Sequence, residues 1–168
     1  MKRFLSLILI AFGLFLFSCD NRSCEDVICG INENCNQGTC FCIDGYEGDN
    51  CQQLSYEKYV GNYFVNENCS PPSSSGSYNS YISWDGFNLN SLSISNFLGQ
   101  GITAPAQIFT NPQNKGNLIE ISFSQGLLQN VYGIGNYDEN FFPPRIEIEL
   151  EYTQAGQFHQ CVVTYIKQ

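Results

Sequence analysis

Nine cysteines, a single histidine and one row of carboxylates carry the side-chain chemistry open to this chain. Six of the cysteines, Cys24, Cys29, Cys35, Cys40, Cys42 and Cys51, follow the spacing C-x4-C-x5-C-x4-C-x-C-x8-C. Clustered thiolates can hold zinc, and thiols in an oxidising compartment close disulfides; the spacing alone chooses no connectivity. Cys19 ends an apolar run and is the odd one out once the other eight pair. On a strand His159 shares a face with Cys161, and a Cys–His dyad would need that thiol free. Arg145 to Tyr152 alternates without a break, with Ile146, Ile148, Leu150 and Tyr152 on one face and Arg145, Glu147, Glu149 and Glu151 on the other. Carboxylates two apart on a strand lie roughly 6–7 Å apart, which overlaps the separation of an inverting glycosidase pair. The solvent side of any half-buried strand produces the same row, and no cleft is marked around it. It reads as a solvated face, and no catalytic residues are assigned.

Composition narrows the classes further. The 168 residues allow one ordinary domain and a small module. Thirteen Phe and ten Tyr against 14% charged residues favour pleated, half-buried surfaces over helices. A net charge of −9 argues against nucleic acid, whose phosphates need clustered Lys and Arg. No P-loop, dinucleotide fingerprint or metal-ligand cluster is present, so no cofactor and no metal are expected.

Lys2 and Arg3 form a basic start to an apolar stretch from Phe4 to Phe17. That stretch is about 14 residues long, and a helix needs roughly 20 to span a bilayer, so it reads as a secretory signal over residues 1–18. Leu16-Phe17-Ser18-Cys19 resembles the lipobox of bacterial lipoproteins. The resemblance implies cleavage before Cys19, diacylglycerol on its thiol and an acylated amine, which accounts for the ninth cysteine. Residues 19–23 become a lipidated tether, and the membrane is the first partner. Asp20 marks inner-membrane retention in some bacteria; the outer membrane or cell surface is the expected location here.

Cys40-Phe41-Cys42-Ile43-Asp44-Gly45-Tyr46-Glu47-Gly48-Asp49-Asn50-Cys51 resembles the second half of an EGF-like domain, C-x-C-x2-G-aromatic-x4-C. The family's pairing implies Cys24–Cys35, Cys29–Cys40 and Cys42–Cys51 in a module spanning 24–51. So short a segment cannot bury enough apolar surface to fold unaided, and an exported chain uses disulfides rather than zinc. Gly45 and Gly48 fall where the terminal hairpin turns tightly, and Tyr46 is placed to pack on the last disulfide. Calcium-binding members carry acidic or amide residues before the first cysteine. Arg22 and Ser23 stand there instead, so Asp20, Asn32 and Glu33 are not expected to form a calcium site.

After a linker at 52–55, residues 56–168 read as strands near 57–65, 78–84, 90–97, 103–109, 117–124, 129–136, 145–153 and 158–167. Turn signals divide them: Asp85-Gly86, Asn111-Pro112 through Gly116, Gln125-Gly126, Asp138-Glu139-Asn140 and Gln154-Ala155-Gly156. The fold class is all-β: a disulfide-rich EGF-like module followed by an antiparallel eight-stranded meander. Closure into a barrel removes both edges, and a β-sandwich is the alternative. Cys69 follows the first strand and Cys161 lies in the last, so a Cys69–Cys161 bond needs those strands adjacent. Lys58-Tyr59-Val60-Gly61-Asn62-Tyr63 resembles the opening of lipocalin-like barrels. With Ile94-Ser95-Asn96-Phe97 and the ending Cys161–Lys167, the chain is similar to small exported bacterial lipoproteins that join an EGF-like module to a lipocalin-like domain.

Three functions follow as expectations. The first is a non-enzymatic, membrane-anchored binding module for a protein or glycan, with the Tyr-, Ser- and Asn-rich segment 73–84 suited to contact. The second is a lipocalin-like carrier holding a small apolar ligand behind faces such as Ile119, Ile121 and Phe123. The third, a hydrolase of envelope polymers, lacks residues to do the work.

Overall fold

The structure, a computed structural model, describes residues 24–71, 75–109 and 116–168. Residues 1–23, with the expected signal, Cys19 and the expected tether containing Arg22 and Ser23, lie outside the described residues, as do 72–74 and 110–115.

A short 3-10 turn at Cys24–Asp26 opens the disulfide-rich N-terminal region. Two small antiparallel pairs follow: β1 (Glu33–Asn36) with β2 (Thr39–Cys42), and β3 (Tyr46–Glu47) with β4 (Gln53–Leu54). Three disulfides, Cys24–Cys35, Cys29–Cys40 and Cys42–Cys51, staple these ribbons. Gly45 and Gly48 turn with φ of 91° and 88°, a conformation costly for any residue with a Cβ. Gln53 and Leu54, read from sequence as linker, belong to the second ribbon, because Leu54 lies opposite Tyr46.

Eight longer strands form one closed antiparallel barrel. They are β5 (Gly61–Ser70), β6 (Ser77–Trp84), β7 (Ser91–Phe97), β8 (Ile102–Phe109), β9 (Leu118–Gln125), β10 (Leu128–Asp138), β11 (Arg145–Gln154) and β12 (Gln157–Lys167). Each pairs with the next, and β12 returns to β5.

The first barrel strand differs most from the sequence reading. It runs over 61–70 rather than 57–65, so Cys69 lies within it, opposite Cys161, and the two are disulfide-bonded. Tyr56 to Val60 instead wind into a turn, with the Tyr59 and Val60 N–H groups donating to the Tyr56 carbonyl. Asn66, Glu67 and Asn68 resemble a strand end in polarity, but the β12 ladder pairs them and holds them extended. Pro105 sits inside β8, where its missing N–H should break a ladder. It faces Ser93 on β7, and the β8–β9 pairing begins only at Gln107.

The meander gives the barrel two ends. β6, β8, β10 and β12 finish at the end where the N-terminal region docks, here the module end; β5, β7, β9 and β11 finish at the far end. Docking is close. The Ser55 N–H donates to the Gly45 carbonyl at 2.9 Å, and a Cβ on Gly45 would lie 2.5 Å from the Leu89 Cβ. Lys58 ties the parts together, donating to Glu47 at 2.6 Å and to the Asn117 side-chain oxygen at 2.5 Å. Lys167 of β12 donates to the Lys58 carbonyl at 2.7 Å, and Tyr56 stacks on Trp84 at 5.2 Å.

Candidate functional site

An eight-stranded barrel is just wide enough to be filled by side chains or to hold one small ligand. Here the inward faces fill it. Tyr63, Val65, Ile82, Leu92, Ile94, Ile108, Ile119, Ile121, Ile146, Ile148, Leu150, Val163 and Tyr165 are all buried in one cluster. Small residues face the large ones: Ala104 and Ala106 on β8, Gly133 and Gly135 on β10. A Cβ on Gly135 would meet the Glu147 carbonyl oxygen and Ile148 Cγ1 at 2.6 Å, and one on Gly133 would meet Leu150 Cδ1 at 2.8 Å. At Gly133 the Leu150 side chain would have to move aside, and at Gly135 the backbone itself leaves no room for a methyl group.

Tyrosines close the module end. The Tyr59 hydroxyl donates to the Gly116 carbonyl at 2.8 Å, and Tyr63 donates to the Tyr59 carbonyl at 2.7 Å. Burial, first of all, pushes both phenols far above their usual titration range, so both are fixed as neutral donors.

Toward the far end one carboxylate faces inward. Glu67 of β5 accepts a 2.6 Å hydrogen bond from Tyr78 of β6. Burial raises the Glu67 pKa, and the Tyr78 hydrogen bond draws it partly back. Tyr165 is fully buried, its ring edge-on to Tyr63 at 6.0 Å. Its hydroxyl makes no hydrogen bond of good geometry, although Tyr78 lies near enough to act on it electrostatically. His159 is buried and stacks on Tyr152 at 4.8 Å. The Cys161 sulfur is bonded to Cys69 and offers His159 no thiolate. Cys29, Glu33 and Cys40 approach within 4.8 Å, but the two sulfurs are bonded to each other, and Glu33 accepts from the Gly30 N–H.

The outer wall of β9 to β12 is of a different character. Register sets Glu120, Ile134, Glu149 and Val162 side by side in one row across four strands. The next row holds Ser122, Tyr132, Glu151 and Gln160. Tyr132, Ile134 and Val162 stay exposed between the carboxylates. Arg145 only partly offsets the acidic charge: its guanidinium lies 3.5 Å from the centre of the Phe141 ring and 3.9 Å from Glu147. Two open concavities meet at Glu149. One, of about 430 Å³, is lined by Ile134, Asn136, Asp138, Arg145 and Glu147; the other, of about 380 Å³, by Asn68, Ser70, Gln160 and Val162.

The acidic row is thus solvent-facing, and the structure surrounds it with shallow relief that the sequence does not mark. The segment 73–84 splits: Tyr78, Ser80 and Ile82 turn into the barrel, and Tyr81 faces out. Glu67 is the half-buried, inward-facing carboxylate that sequence reading misses. Its inward position depends on β5 reaching Ser70, and no local pattern signals that.

No family model and no curated protein matches the chain. A crystal structure from Bacteroides ovatus, described as of unknown function, matches with a TM-score of 0.41 and 10% identity. The match covers 66% of this chain and 42% of that one, so the chain spans less than half of that protein's length.

Proposed function

We propose that the chain is a non-enzymatic lipoprotein of the bacterial cell envelope that binds a protein or glycan partner. Cleavage before Cys19 and acylation of that residue anchor it to the outer membrane or cell surface. Residues 24–51 form an EGF-like spacer, and the lipocalin-like barrel serves as a rigid scaffold. One observation carries this reading: the inward-facing side chains are fully buried against one another and the backbone leaves no room for a methyl group at Gly135, while Tyr132, Ile134 and Val162 lie exposed on the outer wall beside two concavities. Exposed apolar side chains among charged ones suit a contact surface. A carrier would need the reverse, an open interior and an indifferent wall.

Two measurements test it. The intact mass of the chain purified from membranes should show Cys19 as an acylated N-terminal residue; an unmodified Cys19 would remove the anchor. Carboxylate-directed cross-linking on whole cells should then concentrate partner links on Glu147, Glu149 and Glu151. Links spread evenly over the carboxylates would rule out the wall as the contact surface.

A further inference from the structure

The most exposed large apolar side chains fall in the N-terminal region and in the connections at the barrel end where it docks. Phe142 is 99% exposed, Ile28 98%, Phe87 95% and Ile31 86%. Ile28 and Ile31 belong to the disulfide-stapled N-terminal region, flanking Cys29, whose bond to Cys40 holds the backbone between them. Phe87 lies between β6 and β7, and Phe142 between β10 and β11; both connections are at the barrel end where that region docks. The far end presents Leu127 at 71% and Phe158 at 57%. Four such side chains left in water forgo the favourable free energy of apolar burial.

We propose that this end of the molecule lies on the lipid bilayer, with Ile28, Ile31, Phe87 and Phe142 seated between headgroups and upper acyl chains. This rests on the lipid anchor at Cys19 proposed above. Cys24 follows Cys19 by five positions, so even a fully extended chain places it within about 17 Å of the acylated residue. The bilayer is therefore the apolar phase that these side chains meet at the highest effective concentration. Charge adds no attraction, since Glu25 and Asp26 lie close by in an acidic chain, so the contact is apolar and needs no anionic lipid. The barrel then stands with its module end down, and the wall of β9 to β12 faces sideways, free for a partner.

The chain carries its own reporter. Trp84 is its single tryptophan; it sits at the module end, 39% exposed, donating to the Asn88 carbonyl at 2.9 Å. The acylated full-length protein, taken from membranes, would be placed in phosphatidylcholine vesicles with and without brominated acyl chains, which quench tryptophan at short range. Brominated lipid should lower Trp84 emission roughly twofold. The fourfold variant Ile28→Ser, Ile31→Ser, Phe87→Ser, Phe142→Ser should stay on the vesicles through its acyl chains and lose most of that quenching. Four intact disulfides and unchanged Trp84 emission in detergent would show that the variant is folded. Vesicle-bound protein without quenching overturns the proposal and leaves the anchor standing, as does equal quenching in the variant. Protein that is unacylated and remains off the vesicles defeats the anchor reading, and this contact with it. A detergent-solubilised dimer that the variant converts to monomer would mean that a second copy covers these side chains, which also overturns it.

Discussion

Residues 24–54 and the barrel are both built of antiparallel strands, but they are held together by opposite means. In the N-terminal region only Gly45 and Cys51 are buried, and three disulfides close loops of 9 to 11 residues. Each such bond contributes about 3 kcal/mol at the upper end, by limiting the unfolded chain. The barrel has a continuous core of Tyr, Ile, Leu and Val and one disulfide, Cys69–Cys161, closing a span of 92 residues. One part is held by covalent chemistry with almost no interior; the other is nearly all interior. The stapled part is free to expose apolar side chains such as Ile28 and Ile31, because none of its stability depends on burying them.

The sharpest way to break that contrast is to cut the staples. Cys42→Ser with Cys51→Ser should cost the N-terminal region about 2–5 kcal/mol, enough to unfold it. Limited proteolysis would then cleave within 24–54, while the barrel keeps a cooperative melt. A single shared loss of structure would show that the two parts fold as one. Next in size, Gly135→Val drives a side chain into the Glu147 carbonyl and Ile148 and should cost about 3 kcal/mol in denaturant unfolding. Gly76→Ala meets nothing within 4 Å and should leave stability unchanged. Equal effects would contradict a filled interior.

Within the barrel, elements differ in how far the sequence exposes them. Strict alternation from Arg145 to Tyr152 makes β11 legible, because one face packs and the other is solvated. The turn at Ala155-Gly156 is legible as well, and both residues have positive φ, as a tight hairpin demands. The start of the barrel is not. Tyr59 and Tyr63 look like strand neighbours, but Tyr59 enters the core from a turn whose shape depends on Lys58 reaching Glu47 and Asn117, one of them 59 residues away. Glu67 was hidden for the same reason: its burial follows from pairing with β12 and from Tyr78, and is not written in its neighbours. The bulges at Asn96 and Asn130, both with positive φ, are likewise set by cross-strand register.

Smaller effects sharpen the picture of the core. Burial raises the Glu67 pKa in the folded chain, so the folded state keeps a proton that the unfolded state has released. Stability from this group is full below the unfolded-state pKa and falls as pH rises through the folded-state value. Glu67→Gln retains an acceptor for Tyr78 and cannot ionise. Thermal melts from pH 4 to pH 8 should show the variant matching the parent in acid and exceeding it at neutral pH. A constant offset would mean that Glu67 is solvated. Smallest of all, Ala155→Asn at the left-handed position of the β11–β12 turn should add about 0.5 kcal/mol, read as a small rise in melting temperature.

The central claim is that the barrel is a filled scaffold acting through its outside. The most direct test is mass spectrometry of residues 19–168 carrying Cys19→Ser, exported into an oxidising compartment and weighed under denaturing and then native conditions. The account predicts a denatured mass lighter than the reduced chain by the eight hydrogens of four disulfides, and a native mass equal to it. A native mass higher by one discrete apolar molecule would contradict it and make the barrel a carrier.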